Sequence, residues 1–561
     1  MENTKISYQE VIEKVSLILK PELSFYSVSI IYGIAVSVLT LAIPISVQSL
    51  VNTVTFGVLS QPLIVLSIVL FALLLFSGVF NALQTYIIEL FQRHFYVRTT
   101  SDIAVKLLNA NYKHLGKING VELVNRYFDV MTVQKSVATL LTGGTAIILQ
   151  TFVGLVLLAF YHPFFLVFDV LLLGSLWLVW IFFADSALFS ATMESKSKYK
   201  VASWLEELAR SNLFFKTSSR KEVAVEKSDL YINEYLLKRR KHFRLVFLQT
   251  ILLLAIYAVM SSLILGLGGF LVIKGQLTIG QLVAAELVTT IILASFSKAG
   301  KYLESFYDLY AAIDKLSHFY NMPLELASET KTQLIDDYDL NFLSAQVKES
   351  RYDFYFNYNF EAGKKYFIHS KFYSSKLVFL ELAQGLIKPQ RGSIEIGNAR
   401  FSQLSVFNIK DLIYIVDSPT ILEASIIENL RIGNSELDNE KLRTVLELVD
   451  LAHLEDFFKE GLQTKLIPSG YPLWSSQIIR LEIARALLSP AKILIITEIF
   501  DQVEDKRREK ILNYIISEKR TLILFSHKEI YNFKFDKFLM MERDMITAYP
   551  SLAKLRENIS Q

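Results

Sequence analysis

The stretch SSQIIRLEIARALLSPAKILIITE, residues 475–498, contains two segments with different apolar periods. SSQIIRLEIARALL repeats its apolar side chains at helical spacing, whereas KILIIT is a short β-branched run. A helix followed directly by a strand that is apolar throughout is typical of a parallel sheet covered by helices. The stretch therefore predicts an α/β domain around it.

The same alternation extends along most of the C-terminal half. The predicted strands are RYDFYF, KKYFIHS, GSIEIG, LIYIV, KILIIT and TLILFSH. The predicted helices are SKLVFLELAQGL, NEKLRTVLELVDLAHLEDFFKE and SSQIIRLEIARALL. Strands alternating with amphipathic helices predict a largely parallel sheet.

A polar segment precedes this region. FYNMPLELASETKTQLIDDYDL, residues 319–340, reads as a linker, so we expect one domain over residues 1–320 and a second over residues 321–561. Of the whole chain, 52% is hydrophobic and only 20% is charged. Soluble proteins usually have ~25% charged residues, so the composition indicates a chain that is partly embedded in a membrane.

The first domain contains six apolar runs long enough to cross a bilayer, which takes ~20 helical residues. The predicted spans are residues 25–48, 63–83, 138–160, 164–184, 246–273 and 280–296. Glu286 interrupts the last span and marks either an interior position or a helix end.

The loop charges predict the topology. The links VNTVTFGVLSQP and YHP contain no Lys or Arg, and the third short link contains only Lys274. Residues 91–136 and 185–245 are rich in both, which places them and both termini in the cytoplasm. We expect a multi-pass protein of a bacterial inner membrane.

Several classes of function are excluded or disfavoured. The net charge of +3 gives no reason to expect nucleic acid as a partner. The absence of cysteine excludes disulfides, thiolate metal sites and cysteine catalysis. The eight histidines show no metal-ligand spacing, so no metal site built by protein side chains is predicted.

An ordered series of motifs carries a family resemblance. It includes LAQGLIKPQRGSIEIGNARFS, SPTILEASIIENLRIGN, GLQTKLIPSGYPLWSSQIIRLEIARALLSPAKILIITE and TLILFSH. In their order and spacing these motifs resemble the nucleotide-binding domain of ABC exporters. With the six spans, the chain resembles an ABC exporter half-transporter, in which a six-helix membrane domain is fused to an α/β, P-loop-like ABC nucleotide-binding domain.

The resemblance extends into the membrane half. LAIPISVQSLVNTVTFG is similar to the end of the family's first helix. Residues 114–130 and 203–219 lie where coupling helices would contact the nucleotide-binding domains. The alternative for these two segments is an ordinary charged helical turn on a cytoplasmic loop.

The phosphate-binding loop departs from the family's pattern G-x-x-x-x-G-K-[ST]. Aligned on LAQGL, it runs from Ser370 to Leu377, and only Lys376 is kept. Ser370, Tyr373 and Ser375 stand where the family's glycines are expected, and a left-handed backbone there would cost ~1–3 kcal/mol per residue. Lys376 is either a phosphate contact or an exposed lysine at a helix start. The resemblance makes Lys376, Ser374 and Ser375 the candidate ATP-binding residues of this loop.

The metal and water positions are also changed. Thr497 replaces the aspartate that supports Mg²⁺, and Leu377 offers no oxygen to the metal. Glu498 keeps the position of the catalytic base, and Asp417 stands where the Q-loop glutamine is expected. Without a metal-ordered γ-phosphate, a base has little to act on. ATP with Mg²⁺ is thus a cofactor that we expect to bind weakly, or through a partner subunit.

Of the remaining motifs, some positions match the family's pattern and others are changed. The signature loop reads LWSSQ, in which Trp474 stands at the serine position and Gln477 is a candidate ATP contact. His527 keeps the position of the switch histidine, or is simply a structural residue at a strand end. Glu498 and His527 are the candidate catalytic residues and are expected to be vestigial. The aromatic residue that would stack on adenine is Tyr352, Phe354 or Tyr355.

The resemblance implies half of an export pathway for a peptide, protein or amphiphile, and the departures from the family's motifs favour a non-catalytic subunit. We expect the bilayer, the exported substrate and a second, ATP-hydrolysing ABC subunit as partners, although a homodimer remains open. Two alternatives stay open as well. One is an unorthodox exporter with low ATPase activity, and the other is a membrane scaffold or sensor that does not transport.

Overall fold

The computed structural model describes residues 8–55, 61–117, 120–325, 337–349, 351–434, 437–528 and 533–559. Packing divides the chain into two compact units. The first comprises Met1–Ala110 and His114–Pro323, and the second comprises Asn111–Lys113 and Leu324–Gln561. The division after Pro323 lies within the polar segment that begins at Phe319.

Most of the described residues up to Tyr320 are helical. Its α-helices are α1 Tyr8–Leu19, α2 Leu23–Thr40, α3 Ala42–Thr55, α4 Gln61–Leu108, α5 Tyr112–Lys117, α6 Gly120–Asn125, α7 Asp129–Thr139, α8 Thr145–Tyr161, α9 Pro163–Arg210, α10 Ser218–Ile273, α11 Ile279–Ser297 and α12 Ala299–Tyr320. A π-helical turn at Leu140–Gly144 joins α7 to α8. Short 3₁₀ turns lie at Lys20–Glu22 and Arg126–Phe128.

Several of these helices are much longer than a bilayer requires. Helices α4 and α9 have 48 residues each, and α10 has 56. At about 1.5 Å per residue they are roughly 70–85 Å long, against a hydrocarbon core of ~30 Å. Within the described residues, six segments are long and apolar enough to span a membrane: Ile12–Val54, Leu63–Leu108, Leu123–Tyr161, Pro163–Arg210, Ser218–Ile273 and Ile279–Tyr320. Each of the six predicted spans lies inside one of them, which confirms the six-span prediction.

The first predicted span is not one continuous helix. Helix α2 ends at Thr40 and α3 begins at Ala42. Pro44 explains the break, because its ring lacks an N–H and clashes with the carbonyl group four residues earlier, at Thr40. The apolar run alone did not indicate this interruption.

The second unit contains two sheets. The strands described are β1 Leu340–Glu349, β2 Tyr352–Phe360, β3 Lys365–Ser370, β4 Arg391–Ile396, β5 Ala399–Arg400, β6 Ile413–Val416, β7 Ile493–Ile496, β8 Thr521–Phe525, β9 Lys537–Met541 and β10 Ile546–Tyr549. The larger sheet has the order β10-β9-β3-β8-β7-β6, and the smaller one has the order β2-β1-β4-β5. In the larger sheet all neighbouring strands are parallel except β9 and β10.

The larger sheet is buried on both faces. The helices of this unit are α13 Tyr373–Ala383, α14 Val406–Leu412, α15 Ile426–Arg431, α16 Asn439–Leu448, α17 Leu454–Phe457, α18 Ser475–Leu488, α19 Asp505–Ser517 and α20 Leu552–Ile559. Strand β7 alternates between two apolar clusters: Leu494 and Ile496 pack in the cluster that includes α18, and Ile493 and Ile495 pack with α13. Strands covered on both faces read as continuous apolar runs, which is why ILIIT was recognisable in the sequence.

Candidate functional site

A cleft of about 540 Å³ lies at the carboxyl edge of the larger sheet. Loops beyond the carboxyl ends of parallel strands are the usual ligand sites of open α/β sheets. The residues that line it come from β3, from the start of α13, and from the segments after β6, β7 and β8: Ser370, Lys371, Tyr373, Lys376, Asp417, Ser418, Thr497, Glu498, Ile499, Gln502 and His527. The structure therefore brings Lys376, Glu498 and His527 to one place. Ser374, Ser375 and Gln477 do not line this cleft.

The connection between β3 and α13 is two residues long. Strand β3 ends at Ser370, and the helix already begins at Tyr373, so Ser374 and Ser375 lie in its first turn. The expected glycine positions do not have the left-handed backbone that would strain other residues: in the described chain, the non-glycine residues with positive φ are Ser344 and Asp450. The Ser370 hydroxyl donates to the Phe372 carbonyl at 2.9 Å, which stabilises the short connection.

Lys376 is held by acidic groups of the same chain. Only 4% of the residue is exposed, which contradicts the reading as an exposed lysine. Its Nζ atom donates to Glu498 Oε2 at 2.5 Å and lies 4.0 Å from Asp417 Oδ1. The same Nζ lies 4.5 Å from the centre of the Tyr373 ring, a cation–π distance. The ammonium group thus has an internal counter-ion and an aromatic cover.

Glu498 and His527 also approach each other. His527 Nε2 lies 3.7 Å from Glu498 Oε1, and the backbone N–H of His527 donates to Asp501 Oδ2 at 2.9 Å. The His527 ring packs edge-on against His369, with 5.1 Å between centroids. Burial lowers the pKa of His369, and the neighbouring His527 lowers it further. His369 therefore stays neutral more readily than an exposed histidine.

Thr497 and Leu377 stand at the two positions that support Mg²⁺ in the family's motifs. Thr497 is 1% exposed, and its backbone N–H bonds to the Val416 carbonyl. Leu377 presents an apolar side chain that is 37% exposed. Within the described residues, no three His, Asp or Glu side chains are grouped so as to hold a metal ion. Asp417 and Glu498 are the carboxylates that line the cleft, and both lie near Lys376.

The signature segment has a different local role in this structure. Trp474 precedes α18 and is 71% exposed. Gln477 is buried, and its Oε1 atom accepts the backbone N–H of Trp474 at 2.8 Å. The Gln477 amide therefore satisfies a free N–H group at the helix start, which is a structural function.

The three candidate adenine-stacking aromatics have different environments. Phe354 is buried in the core, at 2% exposure, and the Tyr355 hydroxyl donates to Ser344 Oγ. Tyr352 is 49% exposed, but the guanidinium carbon of Arg543 lies 4.1 Å from its ring centre. Sequence reasoning missed Arg543, because it lies in a polar turn after β9 and no motif marks it.

The chain was compared with known proteins. No protein-family model matches it. It is 23% identical over 560 residues to the leukotoxin translocation ATP-binding protein LktB of Mannheimia haemolytica, covering 94% of this chain and 76% of that protein. It is 27% identical over 281 residues to the lactococcin-A transport/processing ATP-binding protein LcnC of Lactococcus lactis, covering 48% of this chain. The match spans only 38% of LcnC, and 40% of a similar LcnC-like protein of that species.

A solved structure agrees with the architecture. The chain superposes on a bacterial Atm1-family ABC exporter with ATP bound, with a TM-score of 0.80 and 16% identity. The superposition covers 97% of each chain. At this identity the likeness establishes the fold. Together with the six apolar segments and the parallel sheet, it shows that the chain has the fold of an ABC exporter half-transporter, a membrane domain fused to an ABC nucleotide-binding domain.

Proposed function

We propose that this chain is a non-catalytic subunit of an ABC exporter. The observation that carries the proposal is the contact between Lys376 Nζ and Glu498 Oε2 at 2.5 Å. In the family's chemistry this lysine contacts the outer phosphates and this glutamate acts on the attacking water. Here each group neutralises the other, so neither is free for that work.

The two positions that support Mg²⁺ in the family are both changed in this chain. Magnesium requires oxygen ligands in near-octahedral geometry, usually from one or two carboxylates or hydroxyls plus the phosphates. Leu377 has no oxygen to offer, and Thr497 is buried. Asp417 would place a negative charge beside the phosphates. We therefore assign no reaction step to ATP in this cleft.

Energy for transport would come from a second subunit. ABC exporters work as dimers, and we propose that an ATP-hydrolysing ABC subunit is the partner of this chain. The exposed Trp474 would stand where the signature serine normally contacts the partner's nucleotide, so that shared site would be altered too. Each subunit would supply half of the translocation pathway.

The cargo proposed is a peptide, a protein or an amphiphile. The support is the likeness to proteins named for leukotoxin translocation and for lactococcin transport and processing. The Lys- and Arg-poor short links favour a bacterial inner membrane, with both termini in the cytoplasm.

One observation favours a second function, that of a slow ATPase. Glu498 and His527 remain 3.7 Å apart, close enough for a base and a switch histidine to act together after rearrangement. The discriminating measurement is Mg²⁺-dependent turnover by the purified chain. Turnover that disappears in Glu498→Gln would establish the slow ATPase.

The test of the leading proposal is affinity purification from native membranes in mild detergent, with mass spectrometry of the subunits that co-purify. We expect a second ABC subunit with an intact G-x-x-x-x-G-K-[ST] loop. A complex that contains only this chain would contradict the heterodimer. If that complex neither hydrolyses ATP nor responds to nucleotide, the membrane scaffold or sensor becomes the favoured function.

A further inference from the structure

The turn between β9 and β10 contacts the short β3–α13 connection through three consecutive residues. The Met541 carbonyl accepts the backbone N–H of Lys371 at 3.0 Å, and Glu542 Oε1 binds Lys371 Nζ at 2.8 Å. The guanidinium carbon of Arg543 lies 4.3 Å from the centre of the Phe372 ring. This turn is therefore fixed against the loop that corresponds to the phosphate-binding loop.

Arg543 also contacts the start of β2. Its guanidinium carbon lies 4.1 Å from the centre of the Tyr352 ring, and its carbonyl accepts the backbone N–H of Tyr355 at 2.8 Å. Its Nε atom is buried and has no hydrogen-bond partner among the described residues. A guanidinium group held by two aromatic rings is bound through its planar face.

A planar cation and a purine base compete for the same surface of an aromatic ring. Exposed aromatic rings bind nucleotide bases by stacking, and that binding needs a free ring face. Of the three candidate aromatics, Phe354 is in the core, Tyr355 is 37% exposed with its hydroxyl bonded to Ser344 Oγ, and Tyr352 is half-exposed with Arg543 against its ring. A side chain of the same chain therefore covers a face of the Tyr352 ring on which a base could stack.

The lysines at the phosphate end of the cleft are also engaged by internal contacts. Lys376 is bound by Glu498 and lies over the Tyr373 ring. Lys371 lines the cleft on one side of the short connection, while Phe372 contacts Arg543 on the other. Internal contacts therefore use both the aromatic rings and the cations that a nucleotide would need.

From these contacts we infer that Arg543 excludes the purine base, so that the nucleotide-binding unit of this chain has little affinity for ATP. Arg543 would be the residue that determines this lack of affinity, with the Lys376–Glu498 pair closing the phosphate end. The inference rests on the proposed non-catalytic role and extends it from hydrolysis to binding.

The experiment measures binding of a fluorescent ATP analogue to the purified full-length chain, with unlabelled ATP as competitor. For the wild type we expect no saturable binding below ~1 mM nucleotide. Adding Arg543→Ala to Glu498→Gln should improve the affinity by about tenfold or more over Glu498→Gln alone. Arg400→Ala is the matched control, because Arg400 pairs with Glu395 away from the cleft and its loss should leave binding unchanged.

Two results would overturn the inference. One is saturable binding by the wild type that ATP displaces, a measurement that depends on no variant. The other is a correctly folded double variant that binds no better than Glu498→Gln alone. Wild-type binding without hydrolysis would overturn this inference alone, whereas hydrolysis that requires Glu498 would overturn the non-catalytic role as well.

Discussion

The role of Lys376, the residue of the phosphate-loop motif that is kept, depends on the contacts of its side chain. Its side chain is 6% exposed and that of Glu498 is 18% exposed, so the pair is largely shielded from water. Removing one partner of a buried pair leaves an uncompensated charge, which is more costly than removing both. The pair therefore stabilises the cleft in its present form.

The first prediction concerns this pair. Glu498→Ala should destabilise the second unit by at most about 3–5 kcal/mol. The loss should be smaller than this because the pair is partly exposed and water can solvate the charge that remains on Lys376. Lys376→Met combined with Glu498→Ala should recover much of that loss, since no buried charge remains. Thermal unfolding followed by tryptophan fluorescence would report both effects. Equal loss in the single and double variants would contradict the proposed coupling.

The second prediction concerns pH. The pKa of His369 is lowered by burial and by His527, although the nearby Glu498 opposes the shift. As the pH falls through about 6.5, the unfolded chain therefore binds a proton at this histidine before the folded chain does. The free energy of unfolding is highest above that pH and declines below it, by at most ~1.4 kcal/mol per pH unit.

His369→Gln should make the unfolding temperature less sensitive to pH between about 7.5 and 6.0. The exposed His453 provides a matched control, and His453→Gln should behave as the wild type does. Identical pH profiles for the wild type and His369→Gln would show that this histidine does not contribute.

At the level of elements, close packing of helices explains one of the glycines. Gly143 lies in the π-helical turn Leu140–Gly144, and a Cβ atom there would overlap the ring and hydroxyl of Tyr302 on α12. Gly78 lies in α4, and a Cβ atom there would meet nothing within 4 Å. Of these two glycines, Gly143 is therefore required by close packing and Gly78 is not.

The third prediction follows from that contrast. Gly143→Ala should destabilise the first unit by about 1–3 kcal/mol through overpacking, whereas Gly78→Ala should change stability by less than about 1 kcal/mol. Adding Tyr302→Ala to Gly143→Ala should remove the overlap and part of the loss. Equal unfolding temperatures for the two alanine variants would contradict the packing shown.

Elements with strong local patterns could be predicted from the sequence, and elements defined by pairing could not. Strands β7 and β8 are buried throughout and read as apolar runs. Strand β1, LNFLSAQVKE in the sequence, has an irregular burial pattern and a register shift between Phe342 and Ala345, so its periodicity was weak. Strands β9 and β10 were missed as well.

The site divides in the same way. Its positions could be predicted, because motif order places Lys376, Glu498 and His527 at strand ends. Their contacts could not, since Lys376 and Glu498 are 122 residues apart and a local pattern carries no information about an ion pair between them. The contacts of Arg543 could not be predicted for the same reason, because its partners Tyr352 and Phe372 are distant in sequence.

At the scale of the whole molecule, the account requires a membrane domain with a defined orientation. Gln276 is exposed in the link between α10 and α11, and Thr217 is exposed just before α10. The Lys- and Arg-poor links predict that the first of these positions lies outside the cell membrane and the second inside. The chain has no cysteine, so single cysteines can be introduced without removing others.

The fourth prediction is that Gln276→Cys reacts in intact cells with a membrane-impermeant maleimide. Thr217→Cys should react only after the membrane is opened. The reverse labelling pattern would contradict the orientation, and labelling of both positions in sealed cells would contradict the six-span arrangement.

The central claim is that ATP hydrolysis in the assembled exporter does not use the cleft of this chain. The most direct measurement compares ATP turnover by the complex purified with wild-type chain and with Glu498→Gln, which removes the carboxylate and keeps the size of the side chain. The account predicts turnover within about twofold of the wild type, because the partner supplies the catalytic base. A loss of tenfold or more would make Glu498 a catalytic residue and would contradict the account.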